Sequence, residues 1–327
     1  MTRRRQQTMA IEVATIERDF GLLGDRVTFR TNATTLVSAA EASFGRFPLP
    51  GAGDPIELRL LLEDRPSSLD GGVIHRAGGD FYLASAPGGA VVADVRQGVG
   101  VGFLNHAVAQ DEPFVRYTFV EGPALAMLTR SRGYLAIHAS GVARDGVGIA
   151  LQGPEGSGKS TLAVACARRG IDVFAEDAVF VRAGEHGLEF WGLPWVQRLL
   201  PDAGEFFPEL RGIEPRRQPN RESKLEVDLD QHYPGRARPT ANPGAVVILE
   251  RGGDGPTAFE ALDGDAAAEA IEVLWPWEDG WSAEHEEAAG LLDELPVYRL
   301  RMTGTPDEAV DALEGLLTLI AAGSPVA

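Results

Sequence analysis

The eight residues from Gly153 to Ser160, GPEGSGKS, combine glycines, a lysine and a hydroxyl in the pattern G-x-x-x-x-G-K-[ST]. Glycines let the backbone curl until its N–H groups converge on phosphate oxygens, and a helix that begins near Lys159 adds its positive end. The lysine of such a loop reaches the β- and γ-phosphates of a nucleotide, and the Ser160 hydroxyl binds Mg²⁺. The predicted nucleotide contacts are Gly153, Glu155, Gly156, Ser157, Gly158, Lys159, Ser160 and Thr161.

Two acidic residues, Glu176 and Asp177, end the apolar segment that follows the loop and its helix. Ligands of α/β proteins gather at the carboxyl ends of parallel strands, and this segment is predicted to be one. One carboxylate there can bind Mg²⁺ directly or through water, and the other can accept the proton of an incoming hydroxyl. An acidic turn or a helix cap is the alternative. The pair favours phosphoryl transfer to a hydroxyl over simple nucleotide binding.

The scarcity of lysine marks a further residue. Of the 30 basic residues only Lys159 and Lys224 are lysines, which leaves 28 arginines. Arginine replaces lysine where a point charge suffices, so a retained lysine indicates a site that the planar guanidinium does not fit. We therefore predict that Lys224 contacts the nucleotide phosphates, within the basic stretch from Arg211 to Arg238. A solvated loop is the alternative, because five acidic side chains partly neutralise that stretch.

These residues depend on strands and a helix for their positions. Hydrophobic runs predict strands from Tyr134 to Ser140, from Val147 to Gln152 and from Ile171 to Ala175. Helical spacing predicts a helix from Lys159 to Arg169. Strand, helix and strand in this order indicate a parallel crossover, the setting that a phosphate loop requires. His138 ends the strand before the loop strand, and a structural role is the simplest interpretation of a lone histidine.

The N-terminal half contains short strands, Gly-rich turns and a helix from Thr34 to Phe44, with no constellation typical of catalysis. We predict three parts in the chain: a disordered tail over residues 1–10, a small α/β N-terminal domain over 11–132 and a P-loop domain over 133–327. Further strands are predicted near Leu188–Trp191, Leu225–Asp228, Ala245–Leu249 and Val297–Leu300, and a last helix from Pro306 to about Ile320.

Several segments together resemble one family. His138-Ala139-Ser140-Gly141-Val142, the phosphate loop, Arg169-Gly170 and Ala175-Glu176-Asp177 resemble the C-terminal catalytic domain of HPr kinase/phosphorylase and its HPr-kinase-like relatives. The resemblance is close from His138 to Asp177. It is looser from Glu189 to Pro194, which looks like the acidic signature segment of that family. The implied fold is an α/β P-loop kinase domain with a mixed sheet, preceded here by the small α/β domain.

The resemblance implies a kinase that phosphorylates a Ser or Thr hydroxyl, using ATP or another NTP together with Mg²⁺. His138 and one carboxylate of the acidic pair would handle the acceptor proton. The family usually has two aspartates there, so Asp177 is the preferred catalytic carboxylate and the role of Glu176 stays open. The implied catalytic set is His138, Glu176, Asp177 and Lys159, and the implied metal ligands are Ser160, Asp177 and Glu189.

The chain also departs from this family. Trp191 and Pro194 replace usual residues of the signature segment, so reverse phosphorolysis is not expected. The N-terminal half does not resemble the regulatory domain of the sugar-control enzymes. The chain is therefore more similar to relatives that phosphorylate precursor peptides, such as the lasso-peptide kinases, an association of motifs rather than of chemistry.

Charge and composition limit the partners. A net charge of −18 repels nucleic acid and anionic membranes. No apolar run approaches the roughly 20 residues of a membrane-spanning helix, and a single cysteine excludes an internal disulfide. We expect a cytoplasmic protein that binds a nucleotide and a peptide or protein acceptor, without nucleic acid or membrane, and we leave a homo-oligomer open.

Two alternative functions stay open. A small-molecule kinase for a sugar, nucleoside or amino-acid hydroxyl would close a compact pocket over the loop, whereas a peptide kinase would present an open, arginine-lined trough. A nucleotide-binding switch or ATPase without an acceptor would bind nucleotide and transfer no phosphoryl group.

Overall fold

The structure is a computed structural model that describes residues 14–51, 53–64, 73–185, 187–218, 222–271, 273–274 and 282–322. The tail predicted over residues 1–10 and Arg221 of the basic stretch lie outside these ranges. The chain divides into two compact units, Met1–Ser131 and Arg132–Ala327.

The N-terminal unit contains one mixed sheet. Its strands are β1 (Ile16–Leu22), β2 (Asp25–Thr31), β3 (Ile56–Glu63), β4 (Ile74–Gly78), β5 (Phe81–Ala86), β6 (Gly89–Asp94) and β7 (Val99–Asn105). The strand order is β1-β2-β3-β7-β6-β5-β4. β3 runs parallel to both β2 and β7, whereas the remaining neighbours are antiparallel. This mixed pairing agrees with an α/β interpretation of the N-terminal half.

Helices cover part of this sheet. They are α1 (Thr34–Phe44), α2 (His106–Ala109), α3 (Glu112–Val115) and α4 (Gly122–Ser131), with a π-helical segment Arg116–Glu121 between α3 and α4. α1 has the predicted bounds, because Leu36, Ala40 and Phe44 recur at helical spacing and are buried. The Phe44 ring meets that of Phe20 on β1 edge to face, with centroids 6.1 Å apart.

The C-terminal unit carries the phosphate loop. Its strands are β8 (Leu135–Ile137), β9 (Ala139–Arg144), β10 (Val147–Gln152), β11 (Asp172–Ala175), β12 (Val179–Gly184), β13 (Gly187–Trp191), β14 (Val196–Leu199), β15 (Arg216–Arg217), β16 (Ser223–Asp228), β17 (Thr240–Arg251), β18 (Ala258–Leu262), β19 (Val273–Leu274) and β20 (Val297–Met302). Its helices are α5 (Lys159–Arg168), α6 (Leu229–His232), α7 (Asp265–Ala270), α8 (Ala283–Asp293) and α9 (Pro306–Ala321).

Most of these strands form one mixed sheet. Within the described residues it has ten strands, in the order β11-β9-β10-β17-β13-β12-β8-β19, with β20 on β17 and β18 on β20. A separate three-stranded sheet of the described chain has the order β14-β16-β15. β17 is parallel to β10 and to β20, so the carboxyl ends of these three strands lie at one sheet edge.

The crossover from β10 through α5 to β11 has the predicted order, but its two strands are not neighbours. β9 lies between them and pairs antiparallel with both, so β10 and β11 run parallel to each other one strand apart. β9 and β10 are almost wholly buried, as expected of strands covered on both faces. Apolar runs of this kind predict strands without predicting their order.

The strand predicted from Tyr134 to Ser140 is two strands. His138 interrupts it, and β8 on one side pairs with β12 and β19 while β9 on the other pairs with β10 and β11. The continuous apolar run hides this break, because both strands are buried. The correction places His138 at a bend between two strand pairings rather than within a strand.

The last helix follows its prediction closely. The Thr305 side chain accepts a hydrogen bond from the Glu308 N–H, Pro306 occupies the first turn, and α9 ends at Ala321. Helix α8 has no counterpart among the sequence predictions, because it buries only three of its residues, His285, Ala288 and Leu292. None of the described helices is both long and apolar enough to cross a membrane.

Packing beside the site leaves no room for a side chain at Gly141 on β9. A Cβ there would lie 2.4 Å from the fully buried ring of Phe174. We expect Gly141→Ala to lower the free energy of unfolding by about 1–3 kcal/mol, measured by urea denaturation. Gly315→Ala in α9 is the control, since a Cβ there meets nothing within 4 Å and should be neutral or stabilising. Equal effects at the two positions would contradict this packing.

Candidate active site

The phosphate loop joins β10 to α5. Gly156 and Gly158 have φ of +78° and +98°, values that residues other than glycine rarely adopt. Gly158 is the N-cap of α5, which begins at Lys159. The Ser157 N–H donates to the Pro154 carbonyl at 3.1 Å and closes a turn within the loop. The backbone therefore has the curl that the sequence pattern predicts.

Lys159 lies folded against this loop. Its side chain is only 8% exposed, and Nζ donates to the carbonyl oxygens of Gly153 at 2.5 Å and Pro154 at 3.3 Å. Burying an ammonium group is costly unless it is hydrogen-bonded. The two carbonyls meet that need and hold the positive charge at the centre of the loop.

The loop fits phosphate groups by two further observations. The Ser157 Oγ is buried and has no hydrogen-bond partner among the described residues, a state that costs about 1–3 kcal/mol for a polar group. A Cβ on Gly156 would meet nothing within 4 Å, so the space above the loop is open. Phosphate oxygens placed there would satisfy the hydroxyl and the loop N–H groups together.

Strand register brings the loop, His138 and the acidic pair to one edge. Gln152, just before the loop, pairs with Ala139, just after His138. Ala175, just before Glu176, pairs with Gly141. Because neighbouring strands lie about 4.8 Å apart, the loop and the acidic pair are separated by roughly 10 Å, with His138 between them. The Ser140 Oγ donates to the Glu176 carbonyl at 2.5 Å and fixes this edge.

Asp177 and His138 face each other. The Asp177 Oδ1 lies 3.5 Å from the His138 Nδ1, within ion-pair reach but long for a strong hydrogen bond. The Asp177 side chain is 57% exposed and that of His138 is 27% exposed. An exposed carboxylate beside an imidazole is accessible to a large incoming acceptor.

Glu176 has the opposite environment. Its side chain is 9% exposed, and its Oε2 lies 3.6 Å from the Arg198 Nη2. Burial raises the pKa of Glu176 to about 7; the negative charge of Asp177 adds to that shift, and the charges of Arg198 and Lys224 oppose it. Adjacent residues thus provide one exposed carboxylate and one buried carboxylate that ionises near neutrality.

Arg198 belongs to a cationic face, which we define as Arg198, Arg216 and Lys224 on the three-stranded sheet. Arg198 on β14 pairs with Glu226 on β16. Lys224 lies two residues before Glu226 on the same strand and pairs with Arg216 on β15. Residues paired directly or two positions apart share a face of a sheet. The other face packs Leu199 and Leu225 into the interior. The Lys224 Nζ also lies 3.2 Å from the Glu222 carboxylate.

Glu189 is not brought to this edge. It pairs with Arg182 in the β12–β13 hairpin, where its carboxylate lies 3.0 Å from the Arg182 Nη2 and accepts a hydrogen bond from the Trp191 indole at 3.1 Å. Arg182 stands three residues beyond Val179, about 10 Å along the strand. In the part of the chain that the structure describes, no three His, Cys, Asp or Glu side chains form a metal site. The assignments of Mg²⁺ to Ser160, Asp177 and Glu189 stay predictions.

The looser segment of the family resemblance runs across the strand that precedes the acidic pair. A Cβ on Gly192 would lie 2.3 Å from the Phe174 carbonyl and 2.5 Å from the Ala175 side chain. The Gly192 N–H donates to the Pro239 carbonyl at 2.9 Å. A glycine is needed here because the two backbones approach so closely. The segment therefore supports the edge structurally, and its Trp191 is bound to Glu189.

Arg198 is the site residue that sequence reasoning missed. It is one of 28 arginines and lies in a short strand, so neither its type nor its spacing distinguishes it. The residues of β14 do not alternate between apolar and polar, and only the structure shows that Gln197 and Leu199 are buried while Arg198 lies on the other face. Its proximity to Glu176 follows from how the three-stranded sheet packs.

Replacing Glu176 with glutamine should change how stability depends on pH. The pKa of this carboxyl is about 7 in the folded chain and near 4.5 in the unfolded chain. As pH rises, the unfolded chain loses this proton before the folded chain does. Glu176 therefore lowers the free energy of unfolding progressively between pH 4.5 and pH 7, and above pH 7 the full loss is about 3 kcal/mol. Glu176→Gln should remove this decline in urea-unfolding series at pH 4.5, 6 and 8.

The control for this series is Glu226→Gln on β16, two residues from Lys224. That carboxylate accepts a hydrogen bond from the Gln218 side chain and should leave the decline in place. An unchanged pH dependence in Glu176→Gln would contradict the raised pKa of Glu176, because it would mean that the carboxyl has the same pKa in the folded and the unfolded chain.

No protein-family model and no curated protein sequence matches the chain. Among solved structures, the chain is similar to the HPr(Ser) kinase/phosphatase from Coxiella burnetii, with 11% identity over 58% of this chain and 99% of that chain and a TM-score of 0.33. The similarity is distant at this identity and score.

Proposed function

We propose that the chain is an HPr-kinase-like phosphotransferase that uses ATP or another NTP with Mg²⁺ to phosphorylate a Ser or Thr hydroxyl of a peptide or protein. One observation carries the proposal. The register of β9 between β10 and β11 places the phosphate loop, His138 and the Glu176–Asp177 pair at one strand edge. A nucleotide-binding loop alone would need neither the carboxylates nor the imidazole.

The residues divide the work by environment. When nucleotide binds, Lys159 Nζ gives up its hydrogen bonds to the loop carbonyls and donates to phosphate oxygens instead. The loop N–H groups and the Ser157 hydroxyl donate to the same phosphates. The exposed Asp177 carboxylate accepts the proton of the acceptor hydroxyl, and His138, 3.5 Å away, orients that carboxylate. Glu176 holds Arg198 at the edge through their ion pair. Positive charge then lies on both sides of the reacting phosphate.

The bound Mg²⁺–nucleotide supplies the phosphoryl group and the metal charge that offsets its negative oxygens. Ser160 at the start of α5 is the direct ligand that we propose for the metal, and Asp177 would reach it through a bound water, so that its carboxylate can still accept the acceptor proton. Mg²⁺ in such sites keeps several waters and needs only one or two carboxylates besides the phosphates. A dedicated cage of protein ligands is therefore not required.

Exposure on the acceptor side favours a peptide or protein over a metabolite. The Asp177 side chain is 57% exposed. Arg216 and Arg217 of β15 are also exposed, and Arg216 pairs with Lys224 of β16. A small hydroxyl compound needs a closed pocket that excludes water, whereas an extended acceptor covers the site itself. The cationic face would attract acidic residues of that acceptor or hold the new phosphate.

The test measures transfer of label from γ-labelled ATP and Mg²⁺ to acceptors of different classes. One arm contains peptides with a single Ser or Thr, a matched arm has Ala at that position, and a third contains free serine, sugars and nucleosides. Label on Ser or Thr peptides alone supports the proposal. Label on a small compound would establish the small-molecule alternative. Release of labelled phosphate without any labelled acceptor would show that the chain is an ATPase and not a kinase.

A further inference from the structure

An open cleft lies beside the phosphate loop, on the side away from the acidic pair. It lies between the start of α5, the ends of β17 and β20 and the start of α9. The lining residues that matter here are Gly158, Thr161, Leu162, Arg251, Met302 and Pro306.

Strand order places this cleft and the acidic pair on opposite sides of the phosphate loop. The acidic pair follows β11, two strands from β10 on one side, and the cleft opens at β17 and β20 on the other side. Arg251 at the end of β17 pairs with Met302 at the end of β20. A nucleotide whose terminal phosphate points to Asp177 therefore extends its other end toward this cleft. Gly158 and Thr161 flank Lys159 and Ser160, so the cleft begins where the phosphate loop ends.

Arg251 is the distinctive side chain of the cleft. It is exposed, and its side chain forms no ion pair or hydrogen bond with any other described residue. Its Nε and Cζ lie 3.7 Å and 4.0 Å from the point where a Cβ on Gly158 would be, and the Met302 Cε lies 4.0 Å from that point. The left-handed glycine thus allows a guanidinium and a thioether to approach the loop closely.

The chemistry of these groups suits a heteroaromatic ring. A guanidinium plane stacks on aromatic faces and keeps its charge in water. Leu162, Met302 and Pro306 offer apolar and polarizable surface around it. Stacking tolerates different bases, because every base has a π-face.

We propose that this cleft is the nucleoside subsite, in which the guanidinium of Arg251 stacks on the base of the nucleotide whose phosphates occupy the loop. The proposal rests on the proposed function, because it requires a nucleotide at Gly153–Ser160. It adds the residues by which the chain would bind a nucleotide more tightly than a polyphosphate without a nucleoside. Ribose lies near Thr161 in this arrangement, between the base and the loop.

The test compares two ligands that share phosphates and differ in the nucleoside. Calorimetry of the full chain with Mg²⁺–ATP and with Mg²⁺–tripolyphosphate should give tighter binding of ATP to the wild type. Arg251→Ala should weaken ATP binding about 10-fold and leave tripolyphosphate binding unchanged. Arg251→Lys keeps the charge without the plane, so it should also lose ATP affinity. Arg301→Ala, next to Met302 on β20, is the matched control and should change neither affinity.

Several results would overturn the subsite. Equal losses for both ligands in Arg251→Ala would make Arg251 a phosphate contact, and full affinity in Arg251→Lys would reduce its role to charge. Equal affinity of the wild type for ATP and tripolyphosphate would exclude any nucleoside contact. Failure of the wild type to bind either ligand would instead remove the proposed function, and the subsite with it.

Discussion

Replacing Lys159 with alanine is expected to lower the rate of phosphoryl transfer by about 10³-fold, the loss typical of removing a charged donor from a reacting oxyanion. Lys159 is buried at the centre of the loop, and its Nζ already donates to two loop carbonyls. Alanine removes the charge that phosphate oxygens would meet while leaving the loop backbone and α5 in place. The measurement is the labelled-ATP transfer assay, with urea unfolding to show that the fold is retained.

Lys159→Arg is the sharper companion of this variant. The side chain is only 8% exposed, so the wider guanidinium does not fit where the ammonium lies, and activity should be lost as in alanine. Arg168→Ala is the matched control, because it removes a cation from the opposite end of the same helix, where it pairs with Asp307. Near-normal transfer in either Lys159 variant would contradict the assignment of the loop as the phosphate site.

Replacing Asp177 with asparagine is expected to lower turnover by about 10²–10⁴-fold, the range for loss of a positioned base. The amide has the shape of the carboxylate but cannot accept the acceptor proton. The side chain is 57% exposed, so the fold should not change. Nucleotide affinity should be largely retained, because the loop supplies most of the phosphate contacts. Turnover comes from the transfer assay and affinity from calorimetry.

Asp172→Asn is the control for this substitution. Asp172 begins the same strand, β11, and pairs with Arg236 at 3.0 Å, away from the edge that carries the loop. If Asp177→Asn retained near-normal transfer while Glu176→Gln lost it, Glu176 would be the base. Its pKa of about 7 is suited to that role, although its burial argues for the role of holding Arg198.

Much of the local structure followed from the sequence. The bounds of α1 and β10 agree with the predictions, and α5 and α9 end within a residue of theirs. These elements have strong apolar periodicity or clear caps, as with Thr305 and Pro306 at the start of α9. Helix α8 was not predicted because its apolar periodicity is weak. The break at His138 was not predicted because it lies in an otherwise buried apolar run, which carries little information about strand boundaries.

The phosphate loop is what the sequence by itself determined. Its eight residues are contiguous, the left-handed glycines and the helix start follow from local backbone preference, and Lys159 donates to carbonyls of the same loop. The acidic pair and His138 could be named as candidates, because a strand end and a family resemblance marked them. Their mutual distances could not be predicted.

Tertiary structure alone decided which residues meet at the loop. The insertion of β9 between β10 and β11 sets the spacing of the loop and the acidic pair. The packing of the three-stranded sheet brings Arg198 to Glu176, and the ends of β17 and β20 bring Arg251 and Met302 to Gly158. Local preferences act over a few neighbouring residues, whereas strand order and register depend on burial across the whole sheet. Arg198 and Arg251 therefore emerge only once distant strands are paired.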